Sequence, residues 1–131
     1  QRSGLDIVET RAWEEPKILE KLTETADYLL LDVPCSGTGV IKREPDTKWK
    51  LQPEHLERLE GVQADILHRY PSMLKPGGTL VYATCSILPI ENGEQVRRFL
   101  GNNDNFELVE ERTVDPGAHN DGFYMAKMKK K

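Results

Sequence analysis

The order of apolar segments predicts an α/β fold: a mostly parallel, helix-covered sheet finished by an antiparallel edge strand. Three observations carry that expectation. Short strand-like runs alternate with longer segments of helical periodicity. The runs Tyr28–Val33 and Thr79–Thr84 are continuous rather than alternating, as strands covered on both faces require. The last two runs, Phe106–Val109 and Phe123–Met128, are joined by a Pro-Gly-Asp loop with no helix between them.

The elements follow in order. Leu5–Thr10 alternates and is β-branched, a short strand. Trp13–Leu22 opens with acids and Pro16, then places Ile18, Leu19 and Leu22 at helical spacing. Tyr28–Val33, bounded by Asp27 and Pro34, is the central strand. After a polar Gly- and Pro-bearing stretch, Pro53 suits a first helical position. Leu56, Leu59, Val62, Ile66, Leu67, Tyr70, Met73 and Leu74 then share one face, and Pro71 kinks or ends the helix. Lys75-Pro76-Gly77-Gly78 is a stop before the strand Thr79–Thr84. Glu91–Leu100 is a helix with Val96, Phe99 and Leu100 inward and Gly101 as its terminator. No repeat, low-complexity segment or interior linker divides the 131 residues, so they form one domain.

Composition excludes several classes. Eighteen Lys and Arg against 22 Asp and Glu leave a formal charge of −4, which argues against nucleic-acid binding by bulk charge alone. With 37% hydrophobic and 31% charged residues the chain is expected to fold. Its apolar runs are too short to span a bilayer. Two cysteines make no disulfide scaffold, and a reduced, cytoplasmic protein is expected. A start at Gln1 rather than Met suggests a piece of something longer.

In open α/β sheets ligands gather beyond the carboxyl ends of the strands. Both cysteines leave such ends, in Asp32-Val33-Pro34-Cys35 and Thr84-Cys85-Ser86. Cys85 reads either as a small buried residue or as a thiol facing the crevice. Cys35 precedes the flexible Ser36-Gly37-Thr38-Gly39 loop, where free N–H groups favour a thiolate. Asp32 reads equally as a turn-former or as a carboxylate facing a polar ligand. The glycine loop lacks the P-loop lysine, so it is a weak phosphate signal. Lys42, Arg43 and Lys48 with Trp49 fit phosphate contact and base stacking, or else a solvated loop over a packed tryptophan. The cysteines are 50 positions apart, without CxxC or paired histidines, which argues against a metal site.

Asp32-Val33-Pro34-Cys35-Ser36-Gly37-Thr38-Gly39, with Pro45-Asp46-x-Lys48-Trp49, resembles motif IV of the Sun (Fmu) family of RNA cytosine-5 methyltransferases. Leu74–Ser86 resembles that family's motif VI, and Glu91-Asn92 and Asp121-Gly122-Phe123-Tyr124 are similar to it too. The resemblance covers most of the chain from Asp27 onward. It implies a Rossmann-like methyltransferase sheet using S-adenosylmethionine and acting on RNA, with rRNA the expected substrate ahead of tRNA. It also implies that residues 1–131 are the C-terminal part of one catalytic domain that lacks its first strands.

Carried over by resemblance, Cys85 is the thiolate that adds to cytosine C6, and Cys35 assists release of the adduct. Asp32 lies beside the methionine end of the cofactor and the cytosine edge, and Pro34 shapes the base pocket. Lys42 and Arg43 stand as RNA contacts on the residue reading above. Three departures bear on these expectations. The family's glycine-rich cofactor loop and acidic ribose ligand do not occur in these residues, no adenine-contacting Asp occurs near Arg11-Ala12-Trp13, and Val33 replaces the usual Ala. This piece alone is therefore expected to be inactive, to bind cofactor weakly and to expose a sheet edge that invites self-association. Two other classes stand beside this one: a catalytically dead RNA- or ribosome-binding module, and a thiol redox protein using Cys35 and Cys85.

Overall fold

The computed structural model describes residues 17–40, 52–118 and 120–131. In order these form α1 (Ile18–Lys21), β1 (Ala26–Asp32), α2 (Pro53–Arg69), β2 (Leu74–Thr84), α3 (Gly93–Asn102), β3 (Phe106–Val114) and β4 (Phe123–Lys130). The strands make one sheet in the order β1-β2-β4-β3. β1 and β2 run parallel, whereas β4 is antiparallel to both β2 and β3. The α/β class is therefore present as a mixed sheet: among the described residues β4, the strand that runs against the others, is interior between β2 and β3, rather than an antiparallel edge to a mostly parallel sheet. The expected first strand, Leu5–Thr10, lies outside the described residues.

α2 begins with Pro53 at its first position and carries His68 and Arg69 in its last turn, where a cation faces the negative end of the helix dipole. Pro71 has no N–H for the next α-helical bond, so Tyr70–Met73 tightens into a 3₁₀ turn. That turn delivers the chain directly into β2. Lys75–Gly78, expected as a stop, is instead the first part of this strand. The irregularity is absorbed by a register shift between Ala26 and Tyr28 on β1. α3 likewise runs two residues later than expected, over Gly93–Asn102. Pro89–Glu91 forms a separate 3₁₀ turn, and the helix passes through Gly101 to Asn102.

Alternate residues of β2 and β4 face the helices: Leu80 opposite Met128, Tyr82 opposite Ala126 and Thr84 opposite Tyr124. All six are buried. Leu67 from α2, Val96 and Phe99 from α3 and Phe106 from β3 close over them. The rings of Phe99 and Phe106 lie 5.0 Å apart, within the range of favourable aromatic contact. Cover on both faces of β1 does not occur among the described residues. Leu31 is buried, while Tyr28 and Leu30 are 81% and 65% exposed. The buried stripe of α2 also differs from expectation. It runs Leu59–Gln63–Leu67, with Val62 exposed and a glutamine fully buried in the middle.

Candidate functional site

The parallel pairing of β1 and β2 places Asp32 opposite Ala83, so the two chains leave the sheet together. Val33 continues the ladder, donating its N–H to the Ala83 carbonyl at 3.1 Å. Cys35 and Cys85, 50 positions apart in sequence, meet there: the Cys85 N–H donates to Cys35 Sγ at 3.3 Å. Cys85 is exposed and Cys35 half-buried. Burial pushes the Cys35 thiol up, and the negative charge of Glu91 adds to that effect, while the N–H groups of Gly37 and Cys85 oppose it. Of the two readings of Cys85, the small buried residue is excluded by its exposure.

The Ser36–Gly39 loop is folded against the Cys85 turn. Gly37 has φ +73°, a left-handed conformation that costs glycine nothing. Gly39 is held from both sides. Its N–H donates to the Cys85 carbonyl and its carbonyl accepts the Gly122 N–H, each at 2.8 Å. A Cβ at Gly39 would meet Gly122 O at 2.0 Å and Cys85 O at 2.8 Å, both backbone atoms that cannot swing aside. The loop is thus a spacer between the Cys85 turn and the entry to β4.

Beneath the cysteines lies a buried polar cluster. Glu91, fully buried in the turn before α3, accepts from the Ser36 N–H at 2.8 Å and from the Ser36 hydroxyl at 2.7 Å. It also accepts from the Ser86 hydroxyl and from Gln63 Nε2. Gln63 Nε2 donates in addition to the Pro34 carbonyl at 2.8 Å. On the far side, Thr84 donates to Asn92 Oδ1 at 2.6 Å, and Asn92 Nδ2 donates to the Ser86 carbonyl at 2.8 Å. Among the described residues no buried side-chain polar atom lacks a partner, as a stable polar interior requires.

Asp32 and Pro34 are exposed at the end of β1 and line a cleft of about 870 Å³ between that strand and α2. Its wall is largely apolar, from Leu30, Val33, Val62 and Ile66, with Arg58 and Asp65 among its charged groups. An exposed carboxylate beside apolar surface fits the cationic amino-acid end of S-adenosylmethionine and the amino edge of a base. The structure brings Cys35 and Cys85 together at the strand ends, while Asp32 and Pro34 line the adjoining cleft, whose lining includes neither cysteine. Lys42 and Arg43 lie outside the described residues, as do Lys48 and Trp49. Among the described residues no group of three or more His, Cys, Asp or Glu is placed to hold a metal. None of the described helices is long and apolar enough to cross a membrane.

Sequence reasoning missed Gln63, Ser86 and Glu91 as site residues, and took Ser36 only as part of a flexible loop. A glutamate preceding a helix reads first as a favourable charge at the helix start. Signals were available: Ser36, Ser86 and Glu91 lie within the family-like segments, and Gln63 is a polar residue four positions from Leu59 and from Leu67 on a buried stripe.

Comparison with known proteins agrees with this architecture. The family model described as 16S rRNA methyltransferase RsmB/F matches residues 2–129. Ribosomal RNA small subunit methyltransferase B of Salmonella paratyphi B is 49% identical over 113 residues, which is 80% of this chain. The chain spans 26% of the length of that curated relative. Among solved structures, PH0851 superposes with a TM-score of 0.86 at 32% identity, over 98% of this chain and 32% of that one. NSun6 from Pyrococcus horikoshii with SFG gives 0.72 at 27% identity, over 94% of this chain and 34% of that one. With its cysteine-bearing strand ends on the same fold and nearly its whole length matched by the family model, the chain belongs to the 16S rRNA methyltransferase RsmB/F family.

Proposed function

We propose that the protein containing this chain methylates C5 of a cytosine in rRNA, using S-adenosylmethionine and a covalent adduct between Cys85 and cytosine C6. The observation that supports this most directly is the meeting of two thiols at adjacent strand ends, one exposed and one half-buried. S-adenosylmethionine supplies an electrophilic methyl group when bound, and Asp32 is the described residue suited to its amino-acid end.

Cytosine C5 is a weak nucleophile, so the ring needs activation. The exposed Cys85 thiolate adds to C6, forming a C–S bond and turning the C5=C6 double bond into an enamine whose C5 is nucleophilic. C5 then takes the methyl group. Transfer of the C5 proton to solvent water and expulsion of the Cys85 thiolate restore the double bond. Cys35, held beside Cys85 at the opposite side of the turn, assists this last stage. Asp32 accepts a hydrogen bond from the cytosine amino group and so orients the ring for attack. The base must leave its stack to reach an exposed thiol at a sheet edge, which suits a loop or a locally opened helix. Lys42 and Arg43 are assigned to phosphate contact on their residue type alone.

The test uses the full-length methyltransferase. Cys35→Ala protein incubated with S-adenosylmethionine and unmodified rRNA should accumulate a protein–RNA band on a denaturing gel. That band should disappear in the Cys35→Ala, Cys85→Ala double variant. An active wild-type enzyme whose Cys85→Ala variant still methylates rRNA would sink the covalent mechanism. Binding of rRNA without any methylation would instead support the binding-module reading.

A further inference from the structure

We propose that Glu91 is a positioning residue for the two-thiol centre, one carboxylate that clamps the residues following both cysteines and so sets their separation. The inference deepens the functional reading above and rests on it. Glu91 Oε1 accepts the Ser36 N–H at 2.8 Å and Gln63 Nε2 at 3.2 Å. Its Oε2 accepts the Ser36 hydroxyl at 2.7 Å and the Ser86 hydroxyl. Ser36 and Ser86 are fully buried and directly follow Cys35 and Cys85. The two strand ends are therefore tied to one group rather than only to each other.

The chemistry of the clamp selects a carboxylate. An ionised carboxylate only accepts, with about four lone-pair sites, and here four donors converge on it. An amide offers one acceptor oxygen, so the Ser36 and Ser86 hydroxyls would have to reverse and accept from its N–H groups, giving up the donors they now direct at the carboxylate. Glu91 makes no ion pair with a basic side chain among the described residues, although an unpaired buried carboxylate is costly. Converging donors offset that cost, and a merely structural link between the loops would not need the charge.

The anchor behind Glu91 is stiff. The Tyr82 hydroxyl donates to the Glu91 carbonyl at 2.6 Å from the middle of β2. Gln95 Nε2, on α3, donates to Gln63 Oε1 at 3.3 Å, which orients the Gln63 amide toward the carboxylate. The same charge also adds to the burial that keeps the Cys35 thiol protonated, while Cys85 stands exposed.

The test again uses the full-length enzyme, with Glu91→Gln as the shape-conserving variant and Ser86→Ala as a milder one if the first does not fold. Two readouts are taken on variants whose thermal unfolding remains cooperative. The first is steady-state methylation: kcat should fall about 100-fold with KM for RNA unchanged, as misplacing a reacting group does. The second is independent of activity. Cross-linking of Cys35 to Cys85 by a bis-thiol reagent such as dibromobimane should lose most of its yield in the variant. A folded Glu91→Gln or Ser86→Ala protein with wild-type kcat and wild-type cross-linking overturns the proposal. A wild-type enzyme that methylates no cytosine overturns the two-thiol chemistry and leaves cross-linking to decide the clamp alone.

Discussion

Cys35 and Cys85 sit one hydrogen bond apart yet occupy different environments, and that difference has a measurable consequence. Burial disfavours the Cys35 thiolate, so its ionisation lies above the ordinary thiol range. Alkylation by iodoacetamide, followed peptide by peptide in a mass spectrometer, should modify Cys35 only at higher pH than an ordinary free thiol. The same shift acts on stability. The folded state holds the Cys35 proton more tightly than the unfolded chain, so the stabilisation is complete below the ordinary thiol range. It is lost as pH rises from there through the folded value. Equal alkylation profiles for Cys35 and a free cysteine would show that its burial has no electrostatic effect. Tyr82, fully buried against the Glu91 carbonyl, is likewise pushed well above the ordinary phenol range, first by burial and then by the Glu91 charge. It remains a hydroxyl donor wherever the protein is folded.

At the scale of elements, β2 is the strand that everything else uses. It pairs with β1 on one side and β4 on the other, and its buried face carries Leu74, Leu80, Tyr82 and Thr84. Its end presents Cys85, so its register sets where the thiol stands relative to β1. Leu80→Ala should cost about 2–5 kcal/mol, the usual range for truncating a buried leucine. Denaturant titration measures that loss. A cost below about 0.5 kcal/mol, typical of surface positions, would mean that β2 is not the centre of the core. α2 and α3 contribute differently. Each closes the core with apolar side chains, yet each also lends a buried glutamine to the cluster under the cysteines. The helices therefore do two tasks with one face, which is why their stripes are not purely apolar.

For the molecule as a whole, one face of the sheet is packed and the other is open among the described residues. Tyr28 and Leu30 project from β1 at 81% and 65% exposure, with Met125 on β4 also exposed. β1 has a single strand neighbour among the described residues. Exposed apolar groups beside an unpaired edge favour association. The isolated chain should self-associate as its concentration rises, and a Tyr28→Glu, Leu30→Glu variant should remain monomeric in sedimentation velocity. A wild-type chain that stays monomeric at high concentration would show that this face is tolerated in water.

The sequence by itself determined the α/β class, the antiparallel final pair and the placing of Cys35 and Cys85 at neighbouring strand ends. Those were legible because strand ends are marked locally, by an apolar run followed by Pro, Gly or a polar turn, and because the motif residues sit next to those ends. The continuation of β2 back through Lys75–Gly78 was not legible, since Pro and Gly signal a stop unless a neighbouring strand absorbs the irregularity. Nor was the exposure of Tyr28 and Leu30, because an apolar run states a preference for burial and not which neighbour provides it. The clamp was decided by tertiary structure alone. Ser36, Gln63, Ser86 and Glu91 are distributed over 56 positions, and each has an ordinary local explanation as loop, helix or cap. Only the folding of α2 and α3 onto one face of the sheet turns them toward a common point. There, water is excluded, so a buried carboxylate can persist only with donors converging on it.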